Sequence, residues 1–309
     1  MDSTDSIDRT DTIDSTAATG FMATHARVLD RHRFGLALGD GDPEAALAAL
    51  EAYRNPDGGY GWGLEPDLRS PESQPGPALH AFEVFTDIGP HTSPRAAELC
   101  DWLASVTLPD GGLPFALPVG APAGCAPFWT QADPTVSSLQ ISAIVAANAH
   151  RSAAFDPAVA AHPWLAQVTR YCLSAIRELS GKPQPMELAF AVQFLDAAHH
   201  RHPEAAELID RLREHIPPDG LLRVDGGADD EFMRPLDFAP VSGGPARDLF
   251  APEVVDGELR RLAAGQQDDG GWRVDFASFS PAAALEWRGH ATVRAVSILR
   301  DHRPPAPGS

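Results

Sequence analysis

QDDGGWRV, residues 267–274, decides the fold, because its core recurs. NPDGGYGW (55–62), LPDGGLPF (108–115) and PPDGLLRV (217–224) carry the same Asp-Gly centre, with aspartates at Asp57, Asp110, Asp219 and Asp269. The intervals are 53, 109 and 50 residues. The middle one is about double, so one copy has lost its signature, and ELSGKPQP (178–185) stands where it belongs. A fixed period of this length marks a repeat architecture. In each copy Asp ends a helix with a local hydrogen bond, and Gly takes positive φ without steric cost.

Working outward, each turn is preceded by an amphipathic helical pattern: DPEAALAALEAYR, SPRAAELCDWLASV, HPWLAQVTRYCLSAIREL, HPEAAELIDRLREHI and APEVVDGELRRLAAGQQ. Several open with Ser, Asp or His before Pro, a cap followed by a proline at the first helical position. The patterns after the turns are more apolar around their circumference: PGPALHAFEVFTDI, DPTVSSLQISAIVAANAH, QPMELAFAVQFLDAAHH, RPLDFAPVSGGPARDLF and ALEWRGHATVRAVSILRDH. Gly243, Gly244 and Pro245 break the fourth. Alternating half-exposed and buried helices in tandem hairpins predict two concentric layers. The expected fold is all-α, a double-layered α/α toroid of five to six hairpins over residues 21–302. The alternative is an open superhelix. Residues 1–20, polar with an aspartate at every third position, and 303–309 are expected to be disordered.

The chain has 309 residues, a formal net charge of −19, and 24 basic against 43 acidic residues, Lys182 being the only lysine. That balance opposes binding to nucleic acid or anionic membranes. No apolar run reaches membrane-spanning length and no secretory leader is visible. Cys100, Cys125 and Cys172 fit reduced thiols, so a cytoplasmic location is expected.

LRRLAAGQQDDGGWRVDF resembles the Gln–Trp repeat of terpenoid cyclases, with Gln266, Gly270 and Trp272 in that order. The body thus resembles the terpenoid cyclase and protein prenyltransferase superfamily, and NPDGGYGWGLEPDLRSPESQP with LEWRGHATVRAV resembles a bacterial group of toroid proteins within it. The resemblance implies parallel inner helices around an apolar cavity. It does not carry over the chemistry. The class II Asp-x-Asp-Asp acid motif, the prenyltransferase Asp, Cys and His zinc ligands and the class I Asp-Asp-x-x-Asp motif are missing, and only Glu72 stands near the expected acid.

Aligning the copies places Glu72, Asp133, Glu187, Asp237 and Glu286 near the starts of the post-turn helices. Parallel inner helices would gather them into a ring of acids whose mutual repulsion and burial raise a pKa. Acids in a first helical turn also simply cap N–H groups. The candidate catalytic residues are Asp133 and Asp237, then Glu286 and Glu72. Candidate substrate contacts are Glu65, Asp67 and Arg69 of LEPDLR, expected at a cavity mouth, with Trp62, Trp129, Phe190, Phe238, Trp287, Arg288 and His290. The run His199, His200, His202 reads as a helix-end cap rather than a metal tract. No cofactor is expected, a divalent cation at the acid ring being left open. Three functions remain: acid-initiated cyclisation or isomerisation of an apolar, isoprenoid-type molecule; hydrolysis or elimination on a carbohydrate by paired carboxylates; and a non-catalytic binding or scaffold toroid.

Overall fold

The Asp-Gly turns are built as their composition requires. In the computed structural model, which describes residues 13–228 and 230–302, the Asp57 carboxylate accepts from the Gly59 amide at 2.9 Å while Gly58 takes φ +93°. The other copies repeat this: Gly112 donates to Asp110 at 3.1 Å, Leu221 to Asp219 at 3.0 Å and Gly271 to Asp269 at 3.1 Å. A Cβ on Gly59 would lie 2.6 Å from Ser73 and Trp102, so the second glycine is required by space. Three of the aspartates also hold the segment that follows. Ser73 and Ser137 donate hydroxyls to Asp57 and Asp110 at 2.8 and 2.6 Å, and Arg288 reaches Asp269 at 2.7 Å.

Among the described residues the regular structure is helical apart from one hairpin of two two-residue strands. In order the helices are α1 (Ser15–His25), α2 (Val28–Leu38), α3 (Pro43–Leu50), α4 (Pro75–Asp87), α5 (Pro94–Val106), α6 (Pro127–Thr130), α7 (Leu139–Ser152), α8 (Pro157–Ala160), α9 (Pro163–Glu178), α10 (Pro185–Ala198), α11 (Glu204–Leu212), α12 (Pro235–Phe238), α13 (Pro252–Ala264) and α14 (Pro281–Asp301). The strands β1 (Leu222–Arg223) and β2 (Phe232–Met233) pair antiparallel. Asp42, Ser93, His162 and Ser280 cap α3, α5, α9 and α14 ahead of a proline, as the Ser/Asp/His-Pro openings predict.

Packing follows the alternation in apolarity. α7 buries almost its whole circumference, whereas α11 buries one stripe, Ala205, Leu208, Ile209 and Leu212. Along the series α2 packs on α4, α4 on α7, α7 on α10 and α10 on α12. Contacts then pass through α13 to α14, and α14 packs back on α2. α3, α5, α9 and α11 each back onto one of these. Among the described residues no helix is long and apolar enough to cross a membrane.

Two expectations are corrected. The disordered segment expected over 1–20 does not extend to residue 20. α1 starts at Ser15, Asp14 caps it, and Gln266 clamps Asp14 through two 2.9 Å hydrogen bonds. Phe21 and Met22 then bury against Trp272 and the α14 side chains. The polar residues around them masked this apolar stripe. Residues 1–12 and 303–309 lie outside the described residues. The helix expected from Asp133 begins only at Leu139, under a Ser138 cap. The fourth post-turn helix is broken as its Gly243–Pro245 stretch predicts, into the four residues of α12 and a 3-10 turn at Pro245–Leu249.

Candidate functional site

α4 is apolar except for His80, Glu83, Thr86 and Asp87, and the spacing of three and four places His80, Glu83 and Asp87 on one stripe. That stripe meets polar residues from α2 and α14. Glu83 Oε2 accepts from Arg33 of α2 at 3.0 Å and lies 3.2 Å from His80 Nδ1 and 3.1 Å from His290 Nε2 of α14. Arg33 also donates to Asp87 at 2.6 Å. His80 Nε2 is 2.9 Å from Glu65 Oε2. Carboxylates thus face both nitrogens of His80, so it donates from both. The rings of His80, His290 and Trp287 stand edge to face, with centroids 5.3–5.8 Å apart.

The loop carrying LEPDLR is buried rather than set at a rim, with Glu65 and Asp67 only 5% and 3% exposed. Each charge ties it to a different neighbour. Glu65 holds His80. Asp67 accepts from Trp287 Nε1 at 2.8 Å and from the Phe279 amide at 3.0 Å. Arg69 pairs with Glu286 at 2.6 Å. From α2, Arg27 pairs with Asp30 at 2.8 Å and donates to the Gly63 and Leu64 carbonyls. A loop with this many buried backbone groups needs these partners.

The electrostatics follow from this crowding. Burial pulls the His80 imidazole down, but Glu83 and Glu65 outweigh it and lift the pKa to about 9. Burial pushes the Glu83 carboxyl up, but His290, Arg33 and His80 hold it well below the carboxylate range. Burial lowers His290 against the opposing pull of Glu83. Burial raises Asp67 and Asp87, with the Phe279 amide and Arg33 opposing in turn. Yet Asp87, Glu83 and His290 keep 25%, 20% and 14% of their side-chain surface accessible. These groups are therefore desolvated without being fully enclosed.

A second polar group is shared by α7, α10 and α14. Arg151 of α7 donates to the amide oxygens of Asn148 and Gln193, each at 3.1 Å. Gln193 of α10 donates in turn to the Asp237 carbonyl at 2.8 Å. Arg294 of α14 reaches Asp237 Oδ1 at 2.7 Å. Burial lowers the Arg151 pKa, Asp196 and Glu83 oppose it, and Arg294 adds to the lowering. Arg151 thus feels charges from both α4 and α14.

The structure brings Glu65, Asp67, Arg69, Glu286, Trp287 and His290 together. The other expected residues lie elsewhere. Asp133 is exposed in a loop, and the Thr135 hydroxyl and amide hold its pKa down. Glu72, also in a loop, is held down by the Ser70 hydroxyl. Neither meets the crowding and desolvation expected of a proton donor. Asp237 caps α12 through the Arg234 amide and pairs with Arg294. Glu187 lies in the first turn of α10, raised by burial alone. Trp62 is 57% exposed and donates to Asn55. Trp129 packs on Phe115 and Phe128, and Phe238 is core, while Phe190 is half-buried against that core. Arg288 faces away, over Phe21 and onto Asp269.

His80, Glu83, Asp87, Arg33, Arg151 and Gln193 were not singled out from the sequence. Their signal was present in part: polar pairs three apart inside largely apolar helices, at His80/Glu83 and Gln193/Asp196. Reading charge only near the turns passed over it.

His80, Glu83 and His290 present donor atoms all within 4.8 Å of one another, a set able to hold a metal ion. A surface groove between Asp110, Gly111 and the α9 residues Gln167, Arg170 and Tyr171 shares no residue with this cluster. No protein-family model matches the chain, and no curated protein matches it.

Proposed function

We propose that the chain is a closed α/α toroid of the terpenoid-cyclase and prenyltransferase type, and that its interior binds a polar small molecule and acts on it around His80, Glu83 and His290. α2, α4, α7, α10, α12 and α14 form the inner layer in this reading, with α3, α5, α9, α11 and α13 outside. The observation that carries it is the convergence on Glu83 Oε2 of groups from α2, α4 and α14, His290 being 207 residues away in sequence. Such clusters of perturbed groups beside an accessible interior mark functional sites.

The lining favours a hydroxylated or anionic ligand. Arg151, held by Asn148 and Gln193, feels the charges of Glu83 and Arg294, and an anionic group on the ligand offsets the burial of Arg151. This supports the polar-substrate hydrolase or lyase over the isoprenoid cyclase. The isoprenoid reading keeps one observation of its own. Phe276 and Trp287 stand edge to face at 5.2 Å beside Asp67, a carboxyl raised by burial.

Thermal-shift screening of the full chain against sugar acids, neutral sugars and prenyl alcohols separates the readings. Sugar acids are expected to raise Tm in the wild type and to lose most of that effect in Arg151→Gln. A response confined to prenyl alcohols installs the isoprenoid reading, and no response to any of the three classes removes both.

A further inference from the structure

We infer that His80 Nδ1, Glu83 Oε2 and His290 Nε2 form a binding site for one divalent transition-metal cation of the zinc class. Two ligands each about 2.0–2.1 Å from a common ion, at angles between square and tetrahedral, lie roughly 2.9–3.4 Å apart. Glu83 Oε2 lies 3.2 Å from His80 Nδ1 and 3.1 Å from His290 Nε2. Glu83 is therefore spaced from each histidine as a fellow ligand of one ion, the two imidazole nitrogens lie within 4.8 Å of each other, and the donors come from the helices α4 and α14 rather than from a loop.

The surroundings supply what such a site needs beyond its ligands. A metal-bound imidazole characteristically donates its other N–H to a carboxylate, which fixes the tautomer and ring orientation. Glu65 Oε2 stands 2.9 Å from His80 Nε2 and is itself buried. Trp287, fixed by Asp67, packs edge-on against both histidines. The local charge also points to a dication. Glu65, Glu83 and Asp87 carry three negative charges, Arg33 carries one positive charge, and Arg27 and Asp30 cancel each other. Buried Asp67 adds to this excess of carboxylates, which a divalent ion offsets once it displaces the Nδ1 proton of His80. Two imidazoles and one carboxylate suit zinc-type ions better than magnesium or calcium, which take oxygen ligands. Three protein ligands leave a coordination position open, as in catalytic sites rather than closed structural ones.

The inference rests on the proposed function only for what the ion does to a substrate. Cation binding is measured without one. Full-length protein stripped with a chelator is titrated with Zn²⁺ and, separately, Co²⁺, following heat, metal content after desalting and the cobalt d–d absorption. One ion per chain is expected. Binding is expected to fall at least 100-fold in His290→Ala and 10–100-fold in Glu65→Gln, which touches His80 and not the ion. The competing site is the run His199, His200 and His202, so a variant with all three changed to Ala is expected to bind as the wild type does. Circular dichroism melts establish that each variant is folded. The inference is overturned if the wild type retains no ion, if binding is lost with the histidine run, or if folded His290→Ala binds normally. Ion binding without any response to polar ligands removes the proposed function and leaves this site standing. The opposite pair of results removes the site alone.

Discussion

His80 and His150 lie on neighbouring helices, α4 and α7, 4% and 7% exposed, and the protein pushes them in opposite directions. Burial lowers both. For His80, Glu83 and Glu65 reverse it and lift the pKa to about 9. His150 meets no carboxylate in its hydrogen bond. Its Nε2 lies 2.8 Å from the Thr169 hydroxyl and its ring stands 5.9 Å from Phe194, and burial, reinforced by His202 and Arg201, takes the pKa to about 3. The same residue type is a neutral packing element in one place and a charged member of a carboxylate cluster in the other. The difference lies in whether carboxylates accompany it into the interior, which is why the α4–α14 side, and not the α7–α9 seam, carries the functional reading.

The largest test of that contrast removes the acceptor. Glu83→Ala leaves His80, His290 and Arg33 buried without their shared partner, and breaking a buried ion pair from one side costs about 3–5 kcal/mol. Thr169→Val, which takes the hydroxyl from His150, costs about 1–2 kcal/mol. Urea midpoints of the two variants in chelator-treated protein check the ordering. Equal losses would mean that the Glu83 cluster is no more than another core contact.

A test by pH separates the histidines by sign. A His whose folded pKa is raised contributes stability below its unfolded value of about 6.5 and loses it as pH climbs toward 9. That is His80. A His whose folded pKa is depressed does the reverse, because the unfolded chain gains the proton first. His150 therefore destabilises the fold progressively as pH falls from about 6.5 toward 3, by up to about 1.4 kcal/mol per pH unit. His150→Gln is expected to flatten the acid limb of the stability curve, leaving a residue from His290, which is also lowered. His80→Gln should flatten the alkaline limb and leave the acid one. Denaturant midpoints from pH 4 to 10, without metal, check both. If one variant alters both limbs equally, the two sites are coupled and the contrast fails.

The sequence was legible where local chemistry acts over a few residues. The four Asp-Gly turns, the Pro-initiated helices and the break at Gly243–Pro245 follow from capping and φ preferences, and each is present. Its charged loop LEPDLR and the Glu286–His290 face were also visible, because charge stood out against apolar surroundings. Long-range pairing was not legible. Nothing local to Glu83 says that His290 will reach it, nor that Gln266 will clamp Asp14 252 residues away. The alignment of acids at helix starts failed for Asp133 and Glu72 for the same reason. A carboxylate before a helix is satisfied by the nearest amide or hydroxyl, here Thr135 and Ser70, long before any distant partner matters.

The smallest effect is expected from Glu65→Gln, and it discriminates most finely. The substitution keeps the volume and an oxygen that can accept from His80 Nε2, while removing the charge. A hydrogen bond to a charged partner contributes about 1.5–3 kcal/mol and a neutral one about half as much, so roughly 1 kcal/mol should be lost at pH 6. The loss should fade as pH rises past the His80 pKa, because neutral His80 gains little from a charged acceptor. NMR titration of the imidazole C–H signals should show the His80 pKa moving down toward the ordinary range while that of His150 stays put. Were His80 unmoved, Glu83 alone would sustain its charge, and the buried LEPDLR loop would be packing against α4 rather than tuning it.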